Sequence, residues 1–133
     1  LLDEQKMASL QRQSPFFELL GFENDEGEDG KIRILLDIKE QHMNKNQTLH
    51  GGVHAAMLDN IFGTVIYHHT YVPSTTITLN VHYLAPVKEG RVTAVANILH
   101  LGYKSATVEG LISDEEGKAI AKGTGTFKLL REG

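Results

Sequence analysis

His50, Gly51 and Gly52 stand where a polar loop runs into a helical pattern, and Asp59 follows on that pattern among Ala55, Ala56, Met57, Leu58, Ile61 and Phe62. These residues carry the chemistry of the stretch from Asn44 to Gly63. The first N–H groups of a helix lack acceptors within it and lie at the positive end of its dipole, so the turn at Gly51 suits an oxyanion. An unpaired carboxylate on so apolar a helix would cost roughly several kcal/mol, so Asp59 requires a compensating partner from elsewhere.

The sequence contains no GxSxG, HExxH or P-loop pattern. The run Gly123 to Thr126 sits late in a strand pattern with no helix after it and lacks the setting of a phosphate loop. His50 and His54 have the i, i+4 spacing of a metal-ligand pair, but a third ligand has no evident source, so no metal site is assigned. What remains is an activated carbonyl held by helix N-terminal amides, attacked by a carboxylate or by a water that a carboxylate deprotonates. That is acyl transfer to water.

The elements that must position these groups follow from pattern. With 133 residues, 41% of them hydrophobic, the chain is long enough for one soluble domain with a core of its own. It has no cysteine, which excludes disulfides and thiolate chemistry. A net charge of −4 and no run of apolar residues long enough to span a bilayer point away from nucleic acid and membrane as partners. The opening residues show no secretory pattern, and Asp3, Glu4 and Lys6 argue against a hidden signal core; a cytoplasmic location is expected.

The chain reads as an α+β domain over 1–133. Leu1 to Gln11 suits a short amphipathic helix, spanning about 1–12 and ended by Ser14-Pro15. Phe16 to Glu23 and Lys31 to Ile38 read as a hairpin around an acidic turn, with Ile32, Ile34, Leu36 and Ile38 on one face. Gly51 to about His68 is a central helix covered nearly all round, with His68 and His69 complementing the negative end of its dipole. Gly52, Ala56, Asp59 and Gly63 share one stripe on it, where another backbone can approach. Strands follow at Thr76 to Leu84, Arg91 to Leu101, Lys104 to Ser113 and Lys118 to Leu129. Ile77, Leu79, Val81 and Tyr83 form one face of the first, and Asp114 to Gly117 turns between the last two. Small residues such as Ala94, Ala106, Gly110, Gly123 and Gly125 would let the helix lie close against a curved antiparallel sheet wrapped around it.

HGG, six residues and then Asp, with Asn44 six before His50 and the segment NVHYLAP from Asn80 to Pro86, resembles the hotdog-fold acyl-CoA thioesterases of the PaaI-like type. The resemblance runs from about Asn44 to Leu129. It implies hydrolysis of an acyl-CoA with no metal or redox cofactor, coenzyme A being part of the substrate. Asp59 would be nucleophile or general base, Gly51 N–H would polarise the thioester carbonyl, and His50 would orient that turn or contact the carbonyl region. Asn44 would place the attacking water with the hydroxyl of Thr76 near it, and Gly52, Gly102, Lys104 and Ser105 would meet the substrate or its CoA part. A non-catalytic acyl-CoA-binding module and a hotdog hydratase or dehydratase are the alternatives. The acyl group depends on which of His54, Phe62, Ile66, Tyr67 and Tyr83 face the cavity.

Asp59 lies eight residues beyond Gly51, roughly 12 Å along a helix rising about 1.5 Å per residue, too far for both to reach one carbonyl. A homodimer with shared sites is therefore expected, which the resemblance extends to a dimer of dimers. For Lys104 at a CoA phosphate, Lys104→Ala should raise KM for acyl-CoA with little change in kcat, more so at low salt. An unchanged KM would remove Lys104 from the site.

Overall fold

The computed structural model describes residues 13–27 and 29–131. The helix expected over about 1–12 lies outside them. In chain order the elements are α1 (Pro15–Leu20), β1 (Glu23–Glu26), β2 (Ile32–Asp37), a 3-10 turn (Glu40–His42), α2 (Gly51–Thr70), β3 (Ser74–Tyr83), β4 (Arg91–Leu101), β5 (Ser105–Ser113) and β6 (Ala119–Leu129). The strands form one antiparallel sheet in the order β1-β2-β4-β5-β6-β3. The single long helix α2 lies across β2 to β6, so the α+β reading holds.

The reading of Phe16 to Glu23 as a strand is corrected. Ser14-Pro15 starts a helix, because Ser14 is extended and its side chain accepts the Phe17 N–H at 3.1 Å while proline occupies the first helical position. Gly21 ends α1 in the left-handed conformation at φ 80°. The hairpin is accordingly short, with all four β1 residues exposed, and its turn is clamped by Arg33 on Asp29 at 2.9 Å.

On β2 the alternation holds, with Ile34 and Leu36 buried, while Ile38 falls past the strand end and packs at the margin of the core. On β3 the expected face is broken. The register shifts between Thr76 and Thr78, so Ile77 is the extra residue of a bulge and is 57% exposed, while Leu79 and Val81 keep to the core side. The turn into β6 closes on Gly117 at φ 83°.

The core lies between α2 and the sheet. Met57, Leu58, Ile61, Phe62 and Ile66 meet Val92, Ala94, Ala106, Val108, Ile112 and Ile120. A single chain covers only half of α2, which corrects the expectation of a helix enclosed all round: Gly52 is exposed and Ala56, Asp59 and Gly63 are half-buried, with no atom within 4 Å of a Cβ built on Gly63. Burial holds the His68 imidazole below its ordinary range, so His68 is not a dependable cation for the helix C-terminus.

The contact of α2 with the sheet is set by missing side chains. A Cβ at Gly110 would lie 2.6 Å from Phe62 Cε1 and 2.9 Å from the Val95 carbonyl oxygen, and one at Gly123 would lie 2.8 Å from Leu58 Cδ1. Gly110→Ala should therefore destabilise the fold by about 1–3 kcal/mol through overpacking against both a core ring and a backbone atom. Gly102→Ala, whose new Cβ would find its nearest neighbour at 3.5 Å, serves as the control. Equal denaturation midpoints for the two variants would contradict this account of the interface.

Candidate active site

His50 is the N-cap of α2, extended at φ −63° and ψ 138°, and its ring Nδ1 accepts the Gly52 N–H at 2.8 Å. This leaves Gly51 N–H as an open donor at the first helical position, with no acceptor among the described residues. The Gly51 carbonyl in turn accepts a hydrogen bond from the Tyr83 hydroxyl at 2.8 Å. The Tyr83 ring stands over the turn, 3.3 Å from where a Cβ on Gly51 would be.

Asn44 folds the loop that enters α2. Its Oδ1 accepts the N–H groups of Asn46 at 2.8 Å and Thr48 at 3.1 Å, and its Nδ2 donates to Thr48 Oγ1 at 2.8 Å. Two backbone donors fix which end of the amide is oxygen, and one Nδ2 proton stays uncommitted. Asn44, Thr48, Gly51, His54 and Tyr83 border a cavity of about 370 Å³ beside the start of α2.

Asp59 projects from the half-open stripe of α2 and not from the face that Met57, Leu58, Ile61 and Phe62 bury, so it is less enclosed than its neighbours in sequence suggest. The partner its charge required is Thr76, whose Oγ1 donates to Asp59 Oδ1 at 2.7 Å. The two face a second cavity, of about 340 Å³, together with Asn60, Tyr67 and His68.

The geometry thus joins Asp59 with Thr76 on one cavity and Asn44 with Gly51 on another, while His50 borders neither and meets the turn through Gly52 N–H. Gly102, Lys104 and Ser105 lie at the turn between β4 and β5, with Lys104 exposed and the other two half-buried, and Gly102 N–H donates to the Ser105 carbonyl at 2.8 Å. They border neither cavity; through the register of Ser105 on Lys128 and Lys128 on Thr75 they lie at the Thr76 end of the sheet. Of the candidate cavity residues, Phe62 and Ile66 are wholly buried in the core, Tyr67 faces the Asp59 cavity, and His54 and Tyr83 face the Gly51 cavity. The Tyr83 hydroxyl as a support of Gly51 went unread in the sequence, since the two residues lie 32 positions apart and nothing local signals their contact.

His54 is 4% exposed. Its Nδ1 lies 3.0 Å from the His50 carbonyl, which makes Nδ1 the protonated nitrogen, and its Nε2 is buried without a hydrogen-bond partner. Burial, foremost, holds its imidazole below the ordinary range, and the nearby His50 ring acts in the same direction.

A long helix laid on a six-stranded antiparallel sheet defines the hotdog architecture. Residues 46–121 match the family profile of the Thioesterase superfamily, and the chain belongs to that family. Human acyl-coenzyme A thioesterase 13 is 32% identical over 103 residues, covering 75% of this chain and 74% of that protein. The BH2602 protein of Bacillus halodurans, solved with CoA, superposes with a TM-score of 0.87 at 28% identity, covering 99% of this chain and 97% of that one. A mutant of the phenylacetic acid degradation protein PaaI from Thermus thermophilus superposes at 0.79 with 27% identity, covering 88% of this chain and 100% of that one. The protein is a thioester hydrolase of this hotdog family.

The buried His54 has a consequence for stability. Its folded-state pKa is lowered from 6.5, so as pH falls below that value the unfolded chain takes up the proton first and stability drops; the contribution is fully present above it. Wild-type protein should lose more stability between pH 7.5 and pH 5 than His54→Leu, compared by denaturant midpoints. Parallel pH dependences would show that His54 is not the group responsible.

Proposed function

We propose that the protein hydrolyses acyl-CoA thioesters at sites shared between two copies of the chain. The observation that carries this reading is the division of the reactive groups, with Asp59 and Thr76 on one cavity and Gly51 and Asn44 on another. The similarity to an acyl-coenzyme A thioesterase and to a neighbour solved with CoA supports the substrate class.

Two features of the chain favour a partner copy. The stripe of Gly52, Ala56, Asp59 and Gly63 on α2 is only partly covered, and β3 is a ten-residue edge strand, mostly exposed. An edge of that length is an open template for pairing. Two hydrogen bonds tie α2 to β3, one from Thr76 near the start of the strand to Asp59 and one from Tyr83 at its end to Gly51. If β3 pairs with its two-fold mate about a point midway between Thr76 and Tyr83, Thr76 comes opposite Tyr83 of the partner subunit. Asp59 of one chain then faces the helix start of the other, and two identical sites result.

In such a site Gly51 N–H would hold the thioester oxygen, whose growing negative charge strengthens that hydrogen bond as the transition state is reached. Thr76 keeps Asp59 Oδ1 fixed and leaves Oδ2 to take a proton from water. The water oxygen adds to the carbonyl carbon, the C–S bond breaks, and the proton on Asp59 passes to the thiolate, giving the free acid and CoA. The uncommitted Nδ2 proton of Asn44 would orient that water.

Gly51→Pro removes the amide proton. His50 already has the extended conformation that precedes proline, Gly51 is the helical position that tolerates it, and a Cβ there would lie 3.3 Å from the Tyr83 ring, which has to yield slightly. Gly51→Pro should lower kcat by about 100-fold or more, and Asp59→Asn by several orders of magnitude with the fold kept. Co-expressed, the two variants form mixed dimers with both lesions in one site and none in the other, so about a quarter of all sites should work under random mixing. Mixed dimers verified by mass spectrometry that remain as inactive as either parent would rule out shared sites.

A further inference from the structure

The loop-to-helix turn is bracketed by three histidines whose backbone partners dictate which ring nitrogen is bare. His42, 1% exposed, accepts the Lys39 N–H on Nδ1 at 2.9 Å and donates from Nε2 to the Leu20 carbonyl at 2.7 Å. Its carbonyl accepts the His50 N–H at 2.9 Å. His50 accepts the Gly52 N–H on Nδ1, and its carbonyl takes the Nδ1 proton of His54. In His42 and His50 a backbone N–H aims at a ring nitrogen, so that nitrogen carries no proton; in His54 the nitrogen opposite the carbonyl contact is sealed in the interior.

We propose that His50 is a positioning residue that serves the reaction only as an uncharged acceptor, and that a second proton on its ring switches the site off by releasing the Gly52 amide and with it the aim of Gly51 N–H. The inference deepens the hydrolytic reading above and rests on it. His50 differs from the other two in being exposed, so its ring is open to solvent in the folded chain. A protonated Nδ1 cannot accept from Gly52; it opposes that N–H and sets a positive charge at the positive end of α2.

Within one chain no hydrogen-bonded counter-charge meets the ring, and in the shared site proposed above the carboxylate that faces this turn is Asp59 of the partner subunit, which the reaction engages with the proton of water. His54 lies on α2 itself, His42 and Lys39 flank the ring's strand of chain through the 3-10 turn, and Tyr83 reaches over from β3 to the Gly51 carbonyl. Among the described residues, no carboxylate is hydrogen-bonded or ion-paired to any of the three imidazoles. With Nδ1 accepting, the single proton of the neutral ring is on Nε2, and this separates two roles. Asn at position 50 can cap the helix through its side-chain oxygen but lacks the Nε2–H that a substrate-contacting histidine would use.

The test combines ring NMR with a substitution series on the full chain. Two-bond 1H–15N spectra of wild-type protein should show His50 with bare Nδ1 and protonated Nε2 at the pH of greatest activity. The acid limb of kcat should share its midpoint with the titration of that ring. His50→Leu should lower kcat by about ten-fold or more, whereas His50→Asn should restore most of that loss and lack the acid limb. A His50 ring protonated on Nδ1 where the enzyme is most active would overturn the proposal, as would a folded His50→Asn as impaired as His50→Leu. The ring tautomer is read without turnover, so it tests the capping role even if acyl-CoA were not hydrolysed, an outcome that would count against the hydrolytic reading alone.

Discussion

The close approach of α2 to β5 and β6 is the contact on which everything else depends. Phe62 and Leu58 enter space left by Gly110, Gly123 and Gly125, and a methyl group at any of these would meet a core side chain within 3.1 Å. Interiors are packed at crystal-like density, so such a fit determines the height and rotation of the helix over the sheet. Rotation decides function here, because the same turn of α2 that buries Leu58 and Phe62 leaves Asp59 and Gly63 on the open side. A helix that rode higher on alanines or valines would lose the hydrogen bonds from Thr76 and Tyr83 that tie it to β3.

The chemistry is distributed along α2 according to the polarity of the helix. Its start offers an open amide in a positive field, suited to developing negative charge; the carboxylate lies eight residues on, away from that field and held by a hydroxyl. Keeping the two apart prevents Asp59 from capping that amide. The consequence is that one chain places the two groups on separate cavities. A partly covered helix stripe and a long uncovered edge strand adjoin them both.

Polar groups around the helix start are engaged to an unusual degree by backbone. Asn44 closes its own loop, His42 ties the 3-10 turn to Leu20 at the end of α1, and His50 caps α2. Each removes conformational freedom from the turn carrying Gly51, so the direction of its amide is fixed in advance. Preorganised donors of this kind stabilise a transition state without reorganisation cost.

Much of this was legible in one dimension. The alternation in β2, β4, β5 and β6, the helix from Gly51, and the requirement that Asp59 have a partner all follow from local spacing and from the cost of an unpaired charge, which act between near neighbours in sequence. The Ser14-Pro15 signal was ambiguous locally, since the same pair can stop one helix or start another, and only the docking of Phe17 into the core settles it. The identity of Asp59's partner, the Tyr83 support of Gly51 and the bulge that turns Ile77 outward depend on strand register and on contacts between residues 17 to 32 positions apart. Local pattern was thus enough for most of the elements and for the spacing of the candidate groups along the helix. Which of those groups meet belongs to the folded chain, because a hydrogen bond forms only within about 3 Å and helix rotation and strand register set those distances through packing across the whole core.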